Sequence, residues 1–98
     1  MKDLNELIEV FTRTDSFEEM QKLFEELFTM KEKYDFALRW RLLNDLKAGH
    51  PQREIAQNLG ISLCKITRGS KILKDENSII RKILEDRDGE RAEHAGNA

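Results

Sequence analysis

Between Gly49 and Lys74, in the run GHPQREIAQNLGISLCKITRGSKILK, the chain gathers the side chains best suited to holding phosphate. Arg53, Lys65, Arg68, Lys71 and Lys74 supply cations, and Gln52 and Thr67 add neutral hydrogen-bonding groups. Guanidinium and ammonium groups make short, charge-assisted hydrogen bonds to phosphate oxygens. Over residues 38 to 74 eight basic side chains stand against two acidic ones, a net +6, whereas residues 1 to 37 carry −5 and residues 75 to 98 carry −3. The overall charge of −2 conceals this basic centre. Such segregation is the footprint of a surface built for a polyanion, and duplex DNA is the partner it implies. Leu63 and Cys64 add small apolar surfaces suited to thymine methyl groups, and Lys65 and Thr67 can hydrogen-bond bases or phosphates.

Other chemistries are poorly served. Nucleophilic catalysis needs a nucleophile beside a positioned base, yet the chain has one cysteine, Cys64, and two histidines, His50 and His94, in no such arrangement. Metal-ligand spacing is absent, and Gly60 and Gly69 do not form a phosphate-cradling glycine loop. No catalytic residue, metal site or cofactor is expected. A single cysteine excludes an internal disulfide and fits a reducing compartment. The N-terminus, MKDLNELIEVF, is too charged for a signal peptide, and no apolar run approaches the ~20 residues that cross a bilayer. A cytoplasmic protein without a membrane partner is expected.

The basic residues need elements to position them, and the punctuation supplies two short helices. Pro51 suits a first helical position, where its missing N–H costs nothing, so a helix is predicted from His50 or Pro51. Ile55, Ala56 and Leu59 form its narrow apolar stripe, and Gly60 can end it in the left-handed conformation. Ser62 can cap the next helix, whose apolar face comes from Leu63, Ile66, Ile72 and Leu73. Ile55, Leu59, Ile61 and Ile66 then make a small shared core. Two helices joined by a glycine turn form a helix-turn-helix over about residues 51–74.

The rest of the chain reads as support. Leu4, Leu7, Ile8 and Phe11 mark one packing helix. Ser16 with Glu19, and Thr29 with Glu32, have capping-box spacing and predict two more helix starts. Phe17, Met20, Leu23, Phe24, Leu27 and Phe28 stripe the first of these, and the second runs from Met30 to about Lys47 with Tyr34, Ala37, Leu38, Arg41, Leu42 and Leu46 near one face. Phe36 and Trp40 fall off that face and suit another surface. Asp75 or Asn77 can cap a last short helix with Ile79, Ile80, Ile83 and Leu84. From Asp86 the sequence DRDGERAEHAGNA lacks large apolar residues and reads as a disordered tail with His94 solvated. The expectation is an all-α protein, one domain over residues 1–85 and a tail over 86–98. A chain of 98 residues buries a limited core, which favours self-association.

The runs Gln52-Arg53-Glu54, Leu59-Gly60, Ile66-Thr67-Arg68-Gly69-Ser70 and Leu73-Lys74 resemble the signature of the Trp repressor family, with ITRGS its sharpest part. The similarity extends through Arg39 to Leu27-Phe28-Thr29 and covers roughly residues 20 to 85. It implies a six-helix fold, an intertwined homodimer and a palindromic operator in double-stranded DNA, contacted by Gln52, Arg53, Leu63, Cys64, Lys65, Thr67, Lys71 and Lys74. It also implies L-tryptophan as corepressor, its indole between Arg39 and Arg68, its carboxylate near Arg68 and Thr29 of a second chain, its ammonium near the backbone of Leu27 and Phe28, and Gly69 leaving room for the ring. Control of tryptophan biosynthesis or uptake genes follows from the same resemblance. The chain departs from the pattern in a GHPQ connection one residue shorter, in His50 at a cap position, and in Ala56, Lys65 and Ile72. The alternative is therefore a regulator of this fold that answers another ligand, or oxidation of Cys64, rather than tryptophan.

Overall fold

The computed structural model describes the backbone of residues 1–96 and side chains as far as Arg91. Six α-helices follow one another: α1 (Lys2–Arg13), α2 (Phe17–Leu27), α3 (Met30–Lys47), α4 (Gln52–Leu59), α5 (Leu63–Lys74) and α6 (Ile79–Gly96). No strand occurs among the described residues. The all-α class and the helix count are as the sequence implies. The chain divides into two compact units, Met1–Phe36 and Ala37–Ala98, where the sequence suggested one domain over 1–85.

In the first unit local capping chemistry sets the helix starts. Ser16 Oγ accepts the Glu19 N–H at 3.0 Å. The return bond of the expected capping box, from the Ser16 N–H to the Glu19 carboxylate, is not made, and the Ser16 hydroxyl donates to the Glu18 carboxylate at 3.4 Å. At Thr29 both halves form: Thr29 Oγ1 accepts from the Glu32 N–H at 3.1 Å, and the Glu32 carboxylate accepts from the Thr29 N–H at 2.9 Å. The Thr29 N–H on its carboxylate, with a smaller contribution from the Thr29 side chain, holds the Glu32 carboxyl below the ordinary glutamate range. Phe11, Phe24, Phe28 and Phe36 form a chain of ring contacts with centroids 5.1 to 6.3 Å apart. No residue before Ala37 is fully buried, and Leu4, Ile8, Phe17 and Met30 are exposed.

The second unit has a closed core. Leu42 of α3, Ile55 of α4 and Ile66 of α5 are buried together, flanked by Leu46, Ala56, Leu59 and Ile61. Leu43 and Leu84 are buried as well. Leu43 was not expected inside, and Tyr34, expected on the packed face of α3, is exposed. The reason is that apolar residues occur all round α3, so its periodicity does not select a face.

Helix α6 runs through Gly96, whereas a disordered tail was expected from Asp86. Its cap is Ser78, whose Oγ accepts the Arg81 N–H at 3.1 Å, while Asp75 instead accepts the Asn77 N–H at 2.8 Å. The extension is held by polar contacts to α3. Arg87 donates to Asn44 Oδ1, and Asp88 lies 3.9 Å from the Lys47 ammonium. The His94 side chain and residues 97–98 lie outside what is described.

Candidate nucleic-acid interface

The helix-turn-helix takes shape around Gly60. Its φ of 63° and ψ of 37° are left-handed, and its N–H caps α4 by donating to the Ala56 carbonyl. An L-residue other than Asn or Asp adopts that conformation at a cost, so glycine turns the chain here without strain. Pro51 precedes α4 as its N-cap, one residue earlier than the first helical position expected of it. Ser62 is the N-cap of α5, yet its hydroxyl makes no capping bond, contrary to expectation. The turn is held by backbone bonds instead, Ile61 N–H to the Ala56 carbonyl at 3.2 Å and Ile66 N–H to the Ser62 carbonyl at 3.4 Å.

Packing decides which sides of α4 and α5 face outward. Ile55 and Ile66 point into the core, and Gly69 is buried where α5 crosses α3. A Cβ on Gly69 would meet Leu46 Cδ1 at 3.1 Å and Leu42 Cδ2 at 3.5 Å. The missing side chain thus serves the close approach of two helices. Gln52, Arg53, Leu63, Cys64, Lys65, Thr67, Lys71 and Lys74 are all exposed. At 100° per residue, Leu63, Cys64, Thr67, Lys71 and Lys74 make one continuous stripe along α5, opposite Ile66, Gly69 and Leu73. Thr67 donates its hydroxyl to the Leu63 carbonyl at 2.9 Å, so in this rotamer it offers a partner only acceptor capacity.

The residues expected around an amino-acid ligand fall in both units. Arg39 and Arg68 belong to the second, and both are exposed. Arg39 lies one turn before Leu42 on α3, and Arg68 adjoins Gly69, so the α3–α5 crossing brings their helices together. Asp35, the carboxylate best spaced to neutralise Arg39, is engaged by Lys31 at 3.1 Å. Leu27, Phe28 and Thr29 form the α2–α3 junction of the first unit, where Leu27 and Thr29 are exposed and Phe28 is half-buried in the phenylalanine cluster.

Two basic residues escaped the reading of the sequence as site residues. A groove of about 360 Å³ is lined by Lys47, Leu73, Lys74, Arg81 and Glu85. Lys47 and Arg81 share no motif with Lys74, and only the folding of α3 and α6 against α5 unites them. Glu85 accepts from Arg81 at 2.9 Å and holds that guanidinium more firmly protonated. No group of three or more potential metal-binding side chains occurs among the described residues, and none of their helices is long and apolar enough to cross a membrane.

A helix-turn-helix packed on a helical scaffold, with cations on its outer face, is the architecture of a transcriptional regulator rather than of an enzyme. The chain belongs to the Trp repressor family, whose model, described as Trp repressor protein, matches residues 2–88. It is similar to a Trp operon repressor homolog of Xylella fastidiosa strain M23, 40% identical over 72 residues that cover 72% of this chain and 78% of that protein. A Trp operon repressor homolog of Chlamydia trachomatis serovar L2 is 36% identical over 67 residues, 67% of this chain and 71% of that protein. One from Vibrio campbellii is 32% identical over 77 residues, 78% and 77% of the two chains. No solved structure matches. Family membership makes this chain a transcriptional repressor and not an enzyme.

Proposed function

We propose that this repressor binds a palindromic operator in double-stranded DNA as a cytoplasmic homodimer, with L-tryptophan as its corepressor. The observation that carries the reading is the α4–Gly60–α5 unit, whose inward side is filled by Ile55, Ile66 and Gly69 while its outward side carries the cations. The N-terminal part of α5 enters the major groove, where Leu63 and Cys64 meet thymine methyl groups, Lys65 approaches base edges or phosphates, and Thr67 accepts from a base amino group or, with its hydroxyl turned from the Leu63 carbonyl, donates to a phosphate. Arg53, Lys71 and Lys74 bind phosphates, and Gln52 hydrogen-bonds beside them. Neutralising about six phosphates per dimer makes log K fall with log salt at a slope of roughly −5.

The apolar side chains left uncovered on α1 and α2 support association with a second copy. In the ligand site, the Arg39 and Arg68 guanidinium planes stack on the two faces of the indole, and Arg68 also takes the carboxylate. Thr29 of the other copy offers its hydroxyl to that carboxylate. The backbone near Leu27 and Phe28 receives the ammonium. Tryptophan acts by its differential affinity for the DNA-competent arrangement of the helix-turn-helix. Control of genes for tryptophan biosynthesis or uptake follows.

The test is selection of binding sites from a random-sequence duplex library with and without L-tryptophan, then anisotropy titrations of the recovered duplex. A palindromic site, bound more tightly with tryptophan and losing that gain in Arg68→Ala, is the expected result. A duplex bound equally well with and without the amino acid removes the ligand and leaves the repressor.

A further inference from the structure

A helix seated in a major groove about 12 Å wide runs between two phosphodiester backbones. On one side of α5 lies α4, which brings Gln52 and Arg53 to one of them. Helix α5 also packs against α6, and beside that contact the groove lined by Lys47, Leu73, Lys74, Arg81 and Glu85 opens. We infer that this groove seats a backbone phosphate of the operator, held by Lys47, Lys74 and Arg81, beside those that Arg53 and Lys71 engage. The inference rests on the DNA-binding reading above and deepens it by naming two further phosphate ligands.

Three cations from three helices line the groove with one carboxylate, Glu85, while Asp88 stands 3.9 Å from Lys47 and Asp75 and Glu76 act on Arg81 from outside the lining, and the void of about 360 Å³ admits a phosphate group. Their present partners hold them weakly. Lys47 stands 3.9 Å from Asp88, near the outer limit of an ion pair, and Arg81 pairs with Glu85 one turn along an exposed helix surface. Such surface pairs contribute little in water, so a phosphate can displace them. Lys74 has no ion-pair partner among the described residues. Lys71 lies one turn before Lys74 on the exposed stripe of α5, which leads the row of cations into the groove. The helix termini are arranged accordingly. Lys47 and Lys74 stand in the last turns of α3 and α5, whose dipoles repel an anion, whereas Arg81 stands in the first turn of α6, whose dipole attracts one. Arg81 is therefore the member without which the groove is a poor anion site. Leu73 supplies an apolar wall that keeps competing water off one side.

The experiment follows binding of the selected palindromic duplex over a salt series for the full chain and its variants. Lys47→Gln combined with Arg81→Gln should make the slope of log K against log salt shallower, by at most roughly two at about 0.9 per half-site, because Lys74 stays to share the phosphate. The preference for the selected duplex over a scrambled one should stay unchanged, since phosphates carry no sequence. Glu85→Gln should do the opposite and tighten binding severalfold at low salt, a gain that unfolding cannot produce. An unchanged slope in the double variant, with Arg53→Gln still lowering it, overturns the groove and leaves the repressor standing. If the double variant fails to fold by circular dichroism, absence of any gain in Glu85→Gln overturns it. A wild-type chain that binds no duplex at any salt overturns both readings. Calorimetry with inorganic phosphate at fixed ionic strength separates the remaining source: binding that vanishes in the double variant while the DNA slope is untouched assigns the groove to a free anion and overturns the strand contact.

Discussion

Helices α1 and α2 and the helix-turn-helix solve the same problem, covering apolar side chains, in opposite ways. From Ala37 onward the chain closes a core of its own, with Ile66 and Leu84 at 0% exposure. Before Ala37 it stacks four phenylalanine rings and leaves Leu4 and Ile8 about half exposed and Phe17 76% exposed. Amphipathic helices whose apolar sides remain open in one chain are built for a partner. In the proposed function the second unit is a reading head, which needs a fixed shape before it meets DNA, and the first a dimerisation arm, which gains its stability on assembly.

The largest break in that comparison comes from the core. Ile66→Ala removes a fully buried side chain shared by α3, α4 and α5, and should cost about 2–5 kcal/mol in urea denaturation. If a substitution there proves nearly neutral, the second unit is not the self-sufficient half. Next is the arm. Leu4 and Ile8 lie one turn apart on α1, and in an isolated chain replacing both by Asp should cost little, since each is already in water to about half its surface. With a second copy covering them, the double substitution should weaken association by roughly 2 kcal/mol, about half the burial value of two such side chains. Sedimentation equilibrium reads the difference. A wild-type chain that stays monomeric at high concentration removes the arm.

How much of this was legible depended on whether the signal was local. Gly60 and Pro51 punctuate the helix-turn-helix, and the bounds 51–74 bracket α4 and α5 closely. The spacing of Thr29 and Glu32 sufficed to foresee the start of α3. Non-local features were hidden. Tyr34 and Leu43 exchanged roles because α3 has apolar residues on every side. The length of α6 was missed because a segment rich in Asp, Glu and Arg reads as solvent-seeking until Arg87 meets Asn44, a residue 43 positions earlier. Separation along the chain likewise hid Lys47 and Arg81 from any motif containing Lys74. Exposure of the eight residues proposed to contact DNA could be foreseen from the apolar stripes of α4 and α5. The reason for Gly69 could not, because it lies in the leucines of α3.

A smaller effect sharpens the boundary of the reading head. At Gly60 a Cβ would meet nothing within 4 Å, so Gly60→Ala isolates the backbone term of a residue at φ 63°. It should destabilise by about 1–2 kcal/mol, the ordinary cost of the left-handed region for an L-residue. Gly60→Asn, whose side chain tolerates that region, should recover part of the loss by the same denaturation measurement.

The smallest effect belongs to the arm and depends on pH. Thr29→Ala removes the acceptor for the Glu32 N–H and should cost about 1 kcal/mol, typical of a lost helix cap. Its reciprocal half carries a charge. Because folding lowers the Glu32 carboxyl pKa, the capping box contributes its full stability above the unfolded glutamate range and loses it as the pH falls through the lowered folded value. Melting temperature should therefore drop on acidification below the ordinary carboxylate range, and Glu32→Gln should remove that portion of the drop, since its amide oxygen can still accept from the Thr29 N–H without titrating. An acid dependence identical in wild type and Glu32→Gln would mean that the ordering of the α2–α3 junction does not depend on this charge. That outcome would leave the exposed phenylalanines and leucines, rather than the cap, as what distinguishes the arm from the head.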